Sequence, residues 1–419
     1  VCLPKVNPKE VRVFKKILPM AAVAAIVFGA CSGATSTPVA TSPPVATSTP
    51  VASGPPVATS TPVASGTPVA SGTPVVSGTP VVKPHNGKQL LIGWSPYADP
   101  TNDTNVALDG QVAKAINDFG AKEIYCSGKA DAATQANCID QFLAQNVDFI
   151  LVYPADVASM TLKIKDANKA GIPVASLFGE FPVSGEQLMF SVSGPVYQAG
   201  VETAKALVAY LTKKNGSPKG TVLEVTGLMT TSQAYLRSQG FHSIVDTYPN
   251  IQTTTKNGNW NSATGGTIIT DWFTAHPTTD ALFLATTCDY GPPATAALKA
   301  LGVYFKTGTP GHIWIGGEDG CNQSLYELKC GYFDFITTYP FNDIATLGMG
   351  LVTDYLKTGK PTAAGQPFGK GTISNEKDFA GPIAYPENQL VPAQYPPDSM
   401  ELWGNNSQSQ PNGTTVCTE

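Results

Sequence analysis

Asp148-Phe149-Ile150-Leu151-Val152-Tyr153-Pro154-Ala155-Asp156 is the stretch that decides the fold. Its apolar run reads as a buried strand. A helix over Ala158–Ala170 follows and stops at Gly171. Ile172-Pro173-Val174-Ala175-Ser176-Leu177 then makes the next strand. A β-α-β rhythm of this kind implies a parallel sheet with helices on both faces.

The rhythm extends in both directions. Upstream, Leu90-Leu91-Ile92-Gly93-Trp94 reads as a strand, and Val106, Val112, Ala113, Ile116 and Phe119 follow at helical spacing. Glu123 to Cys126 is a strand again, and Ile139, Phe142 and Leu143 sit on a helix. Downstream the pattern restarts. Gly200 to Lys213 is helical, Thr221 to Val225 a strand and Ala234 to Tyr248 a helix. Asp280 to Leu284 and His312 to Ile315 continue the alternation. The fold class expected is α/β, with two doubly wound parallel-sheet lobes joined by a hinge. In such sheets ligands bind beyond the carboxyl ends of the strands, so two facing lobes place a ligand in the cleft between them.

The first eighty-odd residues have a different character. Lys15-Lys16 lead into a short apolar run, Ile17 to Phe28, that ends at Gly29-Ala30-Cys31-Ser32. The run is shorter than the about 20 apolar residues needed to span a bilayer, and it has the basic flank and small-residue exit of a secretion signal. Phe28-Gly29-Ala30-Cys31 resembles the bacterial lipoprotein box, which makes Cys31 the lipidation candidate; Phe28 departs from it, where Leu or Val is commoner. Residues 1–30 are therefore expected to be a signal peptide. From Thr37 a hexad such as Thr37-Pro38-Val39-Ala40-Thr41-Ser42 repeats to Gly78, with Pro always at its second place. Recurrent Pro prevents a helix, and no hexad offers a large side chain to bury. Residues 31–87 are thus expected to be an extended spacer, rising about 3.1 Å per residue.

Composition narrows the function. The 26 basic and 31 acidic residues form no basic stripe, which excludes nucleic acid as the expected partner. His85, His242, His276 and His312 are scattered and suggest neither a metal cluster nor a triad. No phosphate loop, Gly-x-Ser-x-Gly elbow or two-His metal motif occurs, so no cofactor and no enzymatic activity are expected. Beyond Cys2 and Cys31, the cysteines are Cys126, Cys138, Cys288, Cys321, Cys330 and Cys417, with no Cys-x-x-Cys pair. Disulfides are the expectation outside the cytoplasm. Short spacing alone suggests Cys126–Cys138 and Cys321–Cys330.

Residues 88–357 resemble the periplasmic sugar-binding proteins of the ribose- and galactose-binding type, which serve ABC importers. The resemblance rests on four stretches in order: Asp148 to Asp156 with its P-x-D turn, Ala170-Gly171-Ile172-Pro173-Val174, Arg237-Ser238-Gln239-Gly240-Phe241, and Gly317-Glu318-Asp319-Gly320 in place of G-F-D-G. It implies two α/β lobes joined by three crossovers that close on a ligand. The boundaries expected are 88–190 for the N-terminal lobe, 191–338 for the C-terminal lobe, 339–391 for a return to the first lobe, and 392–419 for a tail.

The resemblance also implies ligand contacts. Arg237 falls where an arginine donates to sugar hydroxyls, and Asp319 where a carboxylate reads two of them. Trp260 falls where an aromatic face packs on the ring. Ser95 and Asp99 lie in the loop after the first strand. Asp289 stands for the family's Asn-Asp pair, with Thr286 to Tyr290 all candidates. Tyr339 stands near a family glutamine, with Thr338 as its rival. Phe178-Gly179 replaces the Asp-Arg common in the family, and Phe178 is expected to supply aromatic surface instead. The implied function is capture of a small molecule, a sugar, by a lipid-anchored monomer that docks on a membrane permease. Ligand presentation to a signalling kinase and a structural surface role remain alternatives.

Overall fold

The computed structural model describes residues 89–386 apart from 102, 183–187, 366, 369–370 and 375–379, together with 389–391, Leu402 and Cys417. The expected secretion signal, Cys31 and the hexad tract lie outside the described residues.

Two βα series follow one another. The first comprises β1 (Leu91–Ser95), α1 (Asp103–Asp118), β2 (Lys122–Tyr125), α2 (Ala132–Ala144), β3 (Phe149–Val152), α3 (Val157–Lys169), β4 (Val174–Leu177) and β5 (Ser191–Val192). Its strands are parallel and lie in the order β2-β1-β3-β4-β5. The second comprises α4 (Val196–Asn215), β6 (Gly220–Thr226), α5 (Ser232–Val245), β7 (Ile251–Asn257), α6 (Ser262–Ala275), β8 (Ala281–Leu284), α7 (Thr287–Ala300), β9 (Trp314–Gly317), α8 (Asn322–Lys329) and β10 (Phe335–Thr338). Its parallel strands repeat the pattern, β7-β6-β8-β9-β10.

Local sequence explains where the helices begin. Asp156, the last residue of the quoted stretch, is extended and accepts a 2.7 Å hydrogen bond from the Ser159 N–H, which starts α3. Asp131, Thr231, Asn261 and Thr286 cap α2, α5, α6 and α7 in the same way. Each supplies an acceptor for a backbone donor that the first helical turn leaves free. The strand runs lack polar alternation because both faces are covered. Phe149 and Leu151 pack toward α1 and α9 (Phe341–Thr358), while Ile150 and Val152 pack toward α2 and α3. In the second lobe Leu282 and Leu284 join one core, and Ala281 and Phe283 the other.

After β10 the chain returns. Helix α9 packs on α1, β4 and β5, and β11 (Pro367–Phe368), β12 (Gly371–Ser374) and β13 (Ile383–Tyr385) extend the first sheet. The expected return over 339–391 is corrected at its end, where β14 (Gln389–Val391) pairs antiparallel with β10 in the second sheet. That edge was open to a strand, and pairing there satisfies its backbone groups. The chain therefore crosses between sheets between β5 and α4, between β10 and α9, and between β13 and β14.

The cysteine pairing differs from the spacing expectation at one place. Cys126 is bonded to Cys138, but Cys330 is bonded to Cys417 rather than to Cys321. Cys321 and Cys330 cap opposite ends of α8. A helical rise of about 1.5 Å per residue over nine residues holds them roughly 13 Å apart, beyond the about 7 Å limit for a disulfide.

Candidate functional site

Both sheets have the order 2-1-3-4-5, so chain direction reverses beside β1 and beside β6. In such sheets the crevice at that reversal, at the carboxyl ends of the strands, is where ligands sit. The segments leaving those ends meet in one small cavity. Tyr97 and Thr104 follow β1, Tyr153 follows β3 and Phe178 follows β4. From the second lobe come Gln233 and Arg237 on α5, Trp260 after β7, Asp289 on α7 and Asp319 after β9. The space they enclose is ≈ 20 Å³, room for about one water molecule.

The lobes are closed over it. The Val157 N–H donates to the Thr230 carbonyl, and Thr230 Oγ1 to the Ala155 carbonyl at 3.3 Å. The Glu180 N–H donates to Ser232 Oγ at 3.1 Å, and Gln233 Nε2 donates to the Phe178 carbonyl.

Arg237 is the centre of the polar wall. It is 2% exposed and held by several groups. Its Nη2 donates to Asp319 Oδ1 at 2.7 Å and its Nη1 to the Ala285 carbonyl. Its Nε lies 3.0 Å from Glu318 Oε2 but out of line for a hydrogen bond. Its guanidinium sits near the rings of Trp260, 5.5 Å away, and Tyr339, 5.0 Å away. Burial opposes its charge, but Asp319, Tyr339 and Glu318 outweigh that and hold it protonated. Beside it Glu318 is fully buried and accepts a hydrogen bond from the Tyr339 hydroxyl. Burial pushes the Glu318 carboxyl up to about 8, against the opposing pull of Arg237 and Tyr339. Burial thus favours its uncharged form, while the Arg237 charge favours the ionised one.

The aromatic wall has one part on each side of the cavity. Phe178 packs edge-on against Tyr153, Tyr339 and Phe341, with ring centroids 5.1 to 5.5 Å apart. Trp260 is propped from behind: its backbone N–H donates to the Tyr290 hydroxyl oxygen at 2.8 Å, and its indole Nε1 donates to Thr231 Oγ1 at 3.3 Å. Gly227 lets the ring lie on the backbone, since a Cβ there would fall 2.1 Å from it. Phe178, Trp260 and Asp319 all have φ in the left-handed region, at 59°, 56° and 87°. Such conformations cost energy in non-glycine residues and tend to cluster at ligand sites.

Five of the eight expected ligand residues line the cavity: Phe178, Arg237, Trp260, Asp289 and Asp319. Tyr339 does not line it but supports Arg237 and Glu318. Its rival Thr338 donates to the Asp319 carbonyl at 2.8 Å. Ser95 and Asp99 are corrected. Ser95 is buried at the end of β1, where its carbonyl accepts from the Tyr153 N–H and Gln135 Nε2, and Asp99 lies on the loop beyond with its carbonyl accepting from Asn105. Neither lines the cavity, because Tyr97 is the residue of that loop that turns inward. Tyr97, Thr104, Tyr153 and Gln233 were not foreseen as contacts. Two of them carried a signal: Tyr153 ends the run before the P-x-D turn, and Gln233 sits one helical turn before Arg237, hence on the same face. A larger cavity, ≈ 630 Å³, opens elsewhere beside Glu180, Tyr197 and Tyr235, and none of the expected residues lines it.

Two lobes closing on a cavity walled by an arginine, carboxylates and aromatic rings define a binding protein. The chain belongs to the periplasmic binding protein domain family, whose model matches residues 92–361. It is an extracytoplasmic binding protein and not an enzyme. A second model, described as a Schizosaccharomyces pombe repeat of unknown function, matches residues 52–83, overlapping the hexad tract. Among curated relatives, a putative rhizopine-binding protein of Rhizobium meliloti is 28% identical over 306 residues, covering 70% of this chain and 88% of the relative. The ribose import binding protein of Bacillus subtilis is 28% identical over 246 residues, covering 58% and 74%. Among solved structures, an ABC transporter solute binding protein of Bacillus halodurans with bound myo-inositol aligns with a TM-score of 0.62 at 16% identity, covering 77% of this chain and 99% of that one. That likeness establishes the fold.

Proposed function

We propose that this chain captures a sugar or a sugar-like polyol between its lobes and delivers it to the permease of an ABC importer. The observation that carries the reading is the convergence of Arg237, Asp289 and Asp319 with the rings of Tyr97, Tyr153, Phe178 and Trp260 on one interlobe cavity. Planar charged groups pair with adjacent hydroxyls, and aromatic faces pack on the C–H faces of a sugar ring. The names of the relatives, among them ribose and xylitol binders, support a polyhydroxylated ligand. The closed cavity is far smaller than a monosaccharide, so the ligand enters as the lobes part, and its contacts to both lobes favour reclosure.

Further parts of the reading rest on the sequence. Cys31 would carry the lipid anchor once residues 1–30 are removed, and the spacer of 31–87, with its hexads, would hold a monomeric binding unit away from the membrane. A thermal-shift screen of the chain against pentoses, hexoses, inositols and sugar alcohols tests the proposal. A ligand at 100 times its dissociation constant should add about 2.7 kcal/mol of stability. A shift with one ligand class, abolished by Asp319→Asn, is the expected result. No shift with any member of the panel would overturn it.

A further inference from the structure

Two described cysteines lie outside the disulfides, and the fold brings them together. Strands β8 and β9 are adjacent and parallel, with Ala281 opposite Trp314 and Leu284 opposite Gly317, an offset of 33 residues. Beyond the strand ends the Gly320 N–H reaches Thr287 Oγ1 at 3.4 Å, again 33 residues apart, and the Thr287 N–H and Oγ1 fasten the two segments by bonding the Glu318 carbonyl at 2.8 Å. Continued to the next step, the register sets Cys288 beside Cys321. There the Cys321 N–H donates to Cys288 Sγ at 3.2 Å, and both side chains pack in the same apolar cluster. Each cysteine is within two residues of a cavity carboxylate, Cys288 next to Asp289 and Cys321 two beyond Asp319.

We propose that Cys288 and Cys321 are a redox modification site: a third disulfide that ties the start of α7 at Asp289 to the loop of Asp319. The other four described cysteines are paired, and the chain is extracytoplasmic, where disulfides persist. The step is thiol–disulfide exchange with an oxidising disulfide. One cysteine thiolate attacks one sulfur of the oxidant, breaking its S–S bond, forming a mixed disulfide and expelling the other sulfur as a thiolate. The second cysteine thiolate attacks the protein sulfur of that intermediate, forms the Cys288–Cys321 bond and expels the remaining thiolate, so that the oxidant ends as two thiols carrying the two electrons and the two protons from the cysteines. Cys321 is buried and Cys288 partly buried, and burial pushes the Cys288 thiol well up, so the folded chain offers an oxidant little thiolate to react with. The bond therefore forms while the chain folds.

The test is oxidative refolding of the full reduced chain with a mixture of oxidised and reduced glutathione, followed by alkylation in denaturant and non-reducing tryptic peptide mapping. Trypsin separates the relevant cysteines: Cys288 lies in peptide 257–299, Cys321 in 307–329 and Cys330 in 330–357. The expected result is a 257–299 peptide linked to 307–329, with alkylation at both positions falling at least about tenfold from the reduced control. The linked species should be absent from Cys288→Ser, which still forms Cys126–Cys138 and Cys330–Cys417. Full alkylation of Cys288 and Cys321 in refolded protein that carries the other two disulfides overturns the proposal. So does linkage of either cysteine to a different partner. The readout needs no ligand, so it stands or falls independently of the sugar-binding reading.

Discussion

Replacing Glu318 with glutamine should flatten the pH dependence of stability. The buried carboxyl rises from 4.5 to about 8 on folding, while its unfolded counterpart ionises in the ordinary range. Between those two values the folded chain holds a proton that the unfolded chain releases. The stabilisation from this proton is fully present below about 4.5 and is lost as the pH rises through about 8. A change of that size corresponds to on the order of 5 kcal/mol across the interval. The glutamine side chain would mimic the uncharged form and keep an acceptor for the Tyr339 hydroxyl, so the fold should persist. The assay is urea unfolding of both proteins at several pH values from about 4.5 to about 8.5, followed by circular dichroism. His242, raised to about 9 by Glu224 and Asp246, loses its own stabilisation as pH rises from about 6.5. That contribution is common to both proteins and cancels in their difference. Wild type should lose several kcal/mol more than Glu318→Gln over the range. Parallel curves would refute the reasoning, because they would mean that Glu318 is already ionised in the fold.

Three further outcomes follow from the same geometry. Arg237→Met removes the only cation in the polar wall formed by the described cavity residues, leaving Asp319 buried without it; a loss of about 3–5 kcal/mol in unfolding experiments and no detectable sugar heat in calorimetry are expected. Trp260→Leu keeps bulk but loses the ring face, so affinity should fall up to about tenfold in a sugar titration while stability changes less than in Arg237→Met. Gly194→Ala puts a Cβ 2.3 Å from Tyr339 Cδ1 where two crossovers touch, so thermal unfolding should show a loss of about 1–3 kcal/mol; unchanged stability would show that Tyr339 yields without cost.

The doubly wound architecture could be read locally. Phe149 to Val152 shows that a strand is covered on both faces, Asp156 caps the helix after it, and Gly171, with φ of 76°, ends that helix. These signals act within a few residues, so no tertiary contact is needed to recognise them. Arg237, Trp260, Asp289 and Asp319 were singled out through the family resemblance, and the fold brings all four to the cavity. Other features depended on elements distant in sequence. Nothing in the sequence at the end of β1 and the loop after it marks Tyr97 rather than Ser95 or Asp99 as the residue that turns inward. Glu318 gains its altered acidity only from burial beside Arg237 and Tyr339. Cys330 meets Cys417 across 87 residues, while the rigid α8 keeps it from Cys321, its near neighbour in sequence. The register of β8 against β9 then brings Cys321 to Cys288. Periodicity and capping are properties of the chain, whereas burial, pairing across the cleft and cysteine partnership exist only once the lobes have packed.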